Sequence, residues 1–242
     1  MKTMQIFDIT LRQIAAQRGA AVSFKERIEI ARTLDRLRLD AIELPPIADQ
    51  RSDVLANKTI AGVITSSTLS AACGMTEESV TETWESIKTA QKPMLHIMVP
   101  VSAIQMEYQC HKKGPKMIET IRALVAKARY YTEAVAFSAQ DATRAEPEFL
   151  AEAVTAAVEA GASQVTLCDS AGIMTPGEWT GFMAKVFAAA PVLSKVTVGV
   201  EISDMLKMSV ASAAAAVEAG AQVVKAAVVP GDCPSVVDIA AF

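Results

Sequence analysis

The stretch AAVEAGASQVTLCD at residues 156–169 returns as AAVEAGAQVVKAAV at residues 215–228. Each copy runs from an Ala/Val/Glu segment into a glycine, Gly161 or Gly220, and then into an apolar run that opens on Gln-Val. A glycine just past a helix suits the left-handed residue that closes it, so the repeated unit reads as helix, glycine, strand. The offset of 59 residues holds two βα units of about 30 residues each, as in an alternating parallel architecture rather than a solenoid.

Outward from this repeat, short β-branched or apolar runs recur with helical segments between them: Met4–Ile9, Ala41–Leu44, Ile60–Thr65, Met94–Val99, Ala134–Ser138, Gln164–Cys168, Val196–Val200 and Val223–Val229. These are the expected strands. The intervening helices carry their own signals: a capping box at Ser23-Phe24-Lys25-Glu26, and Pro147 and Pro176 at first-turn positions. No Pro/Gly/Ser tract divides the chain, so one domain is expected over residues 1–242. Alternating strands and helices in that length predict a single (βα)8 TIM barrel, with a doubly wound open sheet as the competitor. Only Ser235–Phe242 follow the last run, and the final helix is therefore expected to be short or truncated.

Composition narrows the partners. The 242 residues are 51% hydrophobic and 21% charged, with a formal net charge of -4. That balance excludes a disordered tail, a collagen-like fibre and a polybasic arm, and it gives no reason to expect nucleic acid or membrane as a partner. No apolar run is long and uncharged enough for a signal peptide or a membrane span. Cys73, Cys110, Cys168 and Cys233 form no C-x-x-C pair, which indicates a reducing, cytoplasmic compartment rather than a disulfide framework.

In a TIM barrel the chemistry belongs at the C-terminal ends of the strands. Those ends are polar here: Asp8, Thr10, Arg12 and Gln13, then Glu43, His96, Gln140, Asp141 and Arg144, then Asp169, Ser170, Glu201, Ser203, Lys225, Asp232 and Cys233. Such a set suits a small carboxylate substrate, with Arg12 as a bidentate anchor and Glu43, Glu201 or His96 moving a proton. The plainer readings stand beside it: Asp8 as a loop cap, His96 as a satisfied core histidine, Arg144 as a surface ion-pair partner.

In this order the residues resemble a family, the pyruvate-carboxyltransferase-like or HMGL-like barrels that include 2-isopropylmalate synthase, homocitrate synthase and HMG-CoA lyase. The family opens with Phe-Asp-Thr-Thr-Leu-Arg-Asp-Gly-Glu-Gln, and Phe7-Asp8-Ile9-Thr10-Leu11-Arg12-Gln13 follows it up to the arginine. The likeness continues through Ile42-Glu43, His96 and Ile104–Tyr108, and is densest in Phe137–Arg144, Asp169–Gly172 with Thr175-Pro176, and Ala215–Ala221. It implies condensation of an acyl-CoA with a 2-oxo acid, or the reverse cleavage, around a divalent metal.

The metal ligands that the resemblance implies are the aspartate after the first arginine, a His-x-His pair ending strand seven and an asparagine after strand eight. Here those places hold Gln13, Glu201-Ile202-Ser203 and a loop Pro230–Ser235 without that asparagine, and the glutamate before Asp141 is Gln140. The metal site is therefore expected to be degenerate, and no metal ligand is assigned. A magnesium or manganese site stays open as the alternative, as does an oxygen-only magnesium or calcium site from Glu201, Asp8, Asp169 or Asp232.

The expected catalytic residues are Arg12, Glu43, His96 and Cys233, the last because Gly231-Asp232-Cys233-Pro234 resembles the Gly-Gly-Cys-Pro loop of HMG-CoA lyases. An incidental thiol in a Gly/Pro-bounded turn is the other reading of that loop. Substrate binding falls to Arg12, Gln13, Gln140, Thr143 and Ser170. The expected partners are a small organic acid, an acyl-CoA and, by the resemblance, a second copy of the chain. Because the chain shows no counterpart of the synthases' C-terminal regulatory region, amino-acid feedback is not expected. Three functions remain open: an acyltransferase or lyase with an altered or lost metal, a non-catalytic organic-acid-binding or regulatory relative, and an aldolase using Lys225 as a Schiff-base nucleophile.

Overall fold

The computed structural model describes residues 4–16, 22–228 and 237–239. In chain order the elements are β1 (Gln5–Asp8), α1 (Thr10–Ala16), α2 (Phe24–Arg36), β2 (Ala41–Leu44), α3 (Ser52–Val63), β3 (Thr68–Cys73), α4 (Glu77–Ile87) and β4 (Pro93–Pro100). The short α5 (Ala103–Gln105) then runs into a π turn, followed by α6 (Gly114–Tyr131), β5 (Val135–Gln140), α7 (Pro147–Glu159), β6 (Gln164–Asp169) and α8 (Pro176–Ala189). The chain continues through β7 (Thr197–Ile202), α9 (Ser209–Glu218), β8 (Val223–Ala227) and a two-residue β9 (Val237–Asp238). Strands β1 to β8 pair in sequence order, all parallel, and β8 returns to β1 with Lys225 opposite Phe7, which closes the barrel. Among the described residues no helix is long and apolar enough to cross a membrane.

The expected repeat is present down to its hydrogen bonds. Gly161 and Gly220 have φ of 112° and 114°. Behind them the Ala162 N–H donates to Ala157 O and Gly161 N–H to Val158 O, and Ala221 and Gly220 repeat both bonds to Ala216 and Val217. This is the paired closure of a helix by a glycine. The Ser23–Glu26 capping box forms, and Pro147 and Pro176 open α7 and α8.

One expectation needs correction. Residues 60–65, expected as the third strand, are mostly the last turn of α3, and the strand lies further on at Thr68–Cys73. Ile60, Ala61 and Ile64 face the core at helical spacing, which a six-residue apolar run shares with a strand, while the small residues of β3 signal a strand weakly. At the end of the barrel, among the described residues, Val237 pairs with Ala226 on the edge that β7 leaves free beyond Lys225.

Strand alternation sorts the side chains into two layers. The outward faces, including Ile42, Leu44, Leu95, Ile97, Phe137, Val165, Leu167, Val198 and Val200, merge with the helices in one large apolar cluster. The alternating positions fill the barrel, where a small apolar cluster of Phe7, Ala41 and Val223 shares the interior with buried Glu43, His96, Ser138, Thr166 and Lys225. A barrel interior is more often filled by Val, Ile and Leu, so this polar filling marks where function sits.

Candidate active site

Five strands deliver the central residues. Arg12 leaves the first turn of α1, just past β1, and reaches back over the barrel. Its Nε lies 2.7 Å from Glu43 Oε1, without hydrogen-bond alignment, and its Nη2 donates to Glu201 Oε1 at 2.6 Å. Nη1 has a thioether as neighbour, Met98 Sδ at 3.6 Å. Beneath this layer Lys225 Nζ donates to Glu43 Oε2 at 2.8 Å and stands 3.3 Å from His96 Nε2, 3.5 Å from Ser138 Oγ and 3.7 Å from Glu201 Oε2. His96 is tied on both sides, Nδ1 lying 3.0 Å from Glu43 Oε2 and Nε2 lying 2.7 Å from Ser138 Oγ. Two cations and two carboxylates thus balance inside the barrel, and Lys225 and His96 are fully buried.

The electrostatics follow from that packing. Burial pushes the Glu43 carboxyl up, but His96, Lys225 and Arg12 together outweigh it and hold Glu43 well below its ordinary value. Glu201 is likewise raised by burial and lowered further by Arg12 and Lys225, for a net fall. Burial lowers His96, against the pull of Glu43, and the imidazole is neutral. Burial also lowers Arg12, but Glu201 and Glu43 more than reverse this and fix its charge.

Beside Arg12 a cavity of about 790 Å³ opens on the β1–β4 side of the mouth, lined among others by Arg12, Cys73, Met98, Pro100 and Gln140. Of the expected substrate-binding residues, Arg12 and Gln140 line it. Gln13 sits part-exposed on α1. Thr143 and Ser170 are engaged in loop scaffolding: Thr143 Oγ1 donates to Asp169 Oδ1 at 2.8 Å, and Ser170 Oγ accepts the Asp141 N–H at 3.0 Å. Thr143 also borders a separate cavity of about 160 Å³ between α7 and α8. Asp141, at φ 59°, is clasped by Arg144 Nε and Nη2 and by the Ser102 hydroxyl. Cys233 and Asp232 lie outside the described residues.

The divalent metal implied by the resemblance does not fit these residues. Glu201, in place of the first imidazole, is committed to Arg12, and Ser203, in place of the second, donates to Ser170 O at 3.2 Å. Asp8 is occupied by the Thr10 N–H and hydroxyl, and Asp169 by Thr143, Gly172 and Met174. Among the described residues no three His, Cys, Asp or Glu side chains stand ready to hold a metal ion.

Ser138 was not expected, although its signal was there: Ala136, Ser138 and Gln140 alternate with outward Phe137 and Ala139. Lys225, the Schiff-base nucleophile of the aldolase alternative, ends in an ion pair with Glu43. A Schiff base there would require breaking the bond to Glu43 and a route for a keto acid to a fully buried nitrogen.

Comparison with known proteins agrees with the fold and the ordered motifs. The HMGL-like family profile matches residues 3–230. The chain is 34% identical over 221 residues to 2-isopropylmalate synthase of Geobacillus sp. (strain WCH70), covering 91% of this chain and 43% of that protein. It is 35% identical over 223 residues to the 2-isopropylmalate synthase of Neisseria meningitidis serogroup B (strain ATCC BAA-335 / MC58), covering 92% and 43%. The chain therefore spans less than half the length of these curated relatives. Among solved structures, hydroxymethylglutaryl-CoA lyase from Pseudomonas aeruginosa superposes with a TM-score of 0.82 at 14% identity, over 98% of this chain and 83% of that one. The carboxyl transferase domain (Y628A) of Rhizobium etli pyruvate carboxylase, with pyruvate, superposes at 0.75 and 14% identity, over 99% and 42%.

Proposed function

Since the chain belongs to the HMGL-like family, we propose that it binds a small 2-oxo acid at Arg12 and carries out carbon–carbon bond chemistry of the acyltransferase or lyase kind without a divalent metal. The observation that carries this is Arg12 Nη1. It belongs to a guanidinium only 9% exposed, it lines the mouth cavity, and its neighbour there is Met98 Sδ rather than an oxygen. A carboxylate entering the cavity would meet a desolvated cation already aligned by Glu43 and Glu201, an arrangement that costs little reorganisation. Gln140 supplies an amide on the same wall. The buried Glu43–His96 pair keeps the arginine charged and oriented, and Cys233, on the segment after β8, is assigned the proton step.

A second reading, an organic-acid binder without turnover, is favoured by one observation: Glu43 is enclosed by Arg12, His96 and Lys225 and is 1% exposed. No base from that pair reaches the cavity. The acid and an acyl-CoA are the proposed partners, with a homodimer in the cytoplasm as the proposed setting.

The discriminating experiment is thiol release from acetyl-CoA by chelator-stripped protein in the presence of pyruvate or 2-oxoglutarate. Release that is lost in Arg12→Gln is the expected result. Binding of the oxo acid with no thiol release would overturn the enzymatic reading in favour of the binder.

A further inference from the structure

Arg12, Glu43, Lys225 and Glu201 form a closed ring of alternating charge, in which each carboxylate turns one oxygen to Arg12 and the other to Lys225. Glu43 Oε1 lies 2.7 Å from Arg12 Nε, and its Oε2 accepts from Lys225 Nζ at 2.8 Å. Glu201 Oε1 accepts from Arg12 Nη2 at 2.6 Å, and its Oε2 lies 3.7 Å from Lys225 Nζ. Strand register builds the ring: Lys225 of β8 stands opposite Glu201 of β7 on one side and Phe7 of β1 on the other, and β2, which carries Glu43, pairs with the far edge of β1. Neighbouring strands in register send such side chains into the barrel together.

The sign of this ring decides what Arg12 can attract. One guanidinium against two carboxylates leaves a negative charge in excess, and an arginine so paired would repel a further anion. Lys225 brings the four charges to balance. The other arginine that lines the mouth cavity, Arg27, is paired at 2.8 Å with Asp53, which lines it too, so that pair adds no net charge. Lys225 is fully buried and is not among the residues lining the cavity. A buried ammonium is costly unless it is paired, so a side chain that only filled this space would carry no charge.

We infer that Lys225 is a positioning residue for the organic acid: its ammonium offsets the second of the two carboxylates that grip Arg12, so that a guanidinium held rigidly by Glu43 and Glu201 still offers Nη1 to an incoming carboxylate. Lys225 acts through Glu43 and Glu201 and touches no ligand. The two carboxylates orient Arg12, and the lysine removes the repulsion that this orientation would otherwise bring with it. The inference deepens the binding of a 2-oxo acid at Arg12 proposed above and rests on it, but one arm of its test needs no ligand, so the two fail separately.

The test is calorimetric titration of pyruvate into wild type, Lys225→Met and Lys225→Met/Glu43→Gln, with urea unfolding of the same three proteins. Lys225→Met keeps an unbranched stem and loses the charge, whereas the double variant removes the ion pair as a unit and leaves Arg12 balanced by Glu201 alone. Pyruvate should bind Lys225→Met at least about tenfold more weakly than wild type and the double variant within about threefold of wild type, as expected of a unit charge lost and then rebalanced across the width of one carboxylate. The double variant should also unfold at a higher urea concentration than Lys225→Met, because a buried charge left without its partner costs more than loss of the whole pair. Unchanged affinity in Lys225→Met overturns the inference, as does a double variant that binds no better than the single one, the result of a packing role whose losses accumulate. If wild type takes up no pyruvate, the acid-binding function fails and unfolding decides the role of Lys225: a double variant above the single one supports it, and one at or below it overturns it. Should Lys225→Met not fold, a folded double variant is the same rescue, and failure of both overturns the inference.

Discussion

Asp8 shows how a single residue can separate scaffold from chemistry. It sits at the end of β1, one turn before Arg12, and accepts the Thr10 N–H at 3.0 Å and the Thr10 hydroxyl at 2.8 Å, while Thr10 Oγ1 accepts the Val228 N–H at 2.8 Å. Its carboxyl fastens the first loop to the end of β8. Burial, outweighing the hydrogen bonds from Thr10, raises its pKa from 3.8 to about 6. The folded state therefore holds a proton that the unfolded chain has released between these values. Asp8's contribution to stability is complete below about pH 4 and is lost as the pH rises through 6. Glu43 and Glu201 act with the opposite sign, their contribution being present at neutral pH and lost on acidification. Asp8→Asn cannot titrate, so from pH 4 to 7 its urea-unfolding free energy should decline less than that of wild type, by roughly 3 kcal/mol at most. Parallel curves for the two proteins would contradict this. At this scale Arg12, Glu43 and His96 were legible from their polar character at strand ends. Their grouping around Lys225 was not, because an ion pair 182 residues apart in sequence has no local signature.

At the scale of elements, the echoed helix–glycine–strand units were readable because glycine and the following hydrogen bonds are local. Ile60–Thr65 was not, since its residues satisfy a helical and an extended pattern equally over so short a run. The closing glycines also give a test. Gly161 has φ 112°, and a Cβ there would lie 2.7 Å from Arg129 Cγ, whereas a Cβ at Gly181 in α8 meets nothing within 4 Å. Gly161→Ala should lose at least about 1 kcal/mol, because the backbone conformation is strained for alanine. Gly181→Ala should gain about 0.5–1 kcal/mol from helix propensity. Chemical denaturation of the two variants checks both signs at once, and equal losses would show that position in the helix rather than backbone conformation decides.

On the scale of the whole molecule, the barrel does two things with one sequence period. Outward residues build the apolar layer between strands and helices, and inward residues build a charge-balanced plug on which Arg12 rests at the edge of a cavity. The period is visible in the sequence, as in Ala41-Ile42-Glu43-Leu44 and Leu95-His96-Ile97, but closure of the sheet is what turns inward polar residues on five separate strands into one site. The resemblance holds for the fold, whose outward apolar pattern is kept, while at the mouth Glu201 stands where the family has an imidazole and is committed to Arg12. The central claim is that this mouth binds an organic acid by itself. Its most direct test is calorimetric titration of pyruvate into chelator-stripped protein, with and without added Mg²⁺ or Mn²⁺. The account predicts saturable binding of the same affinity in all three cases, whereas binding that appears only when a divalent metal is added would contradict it.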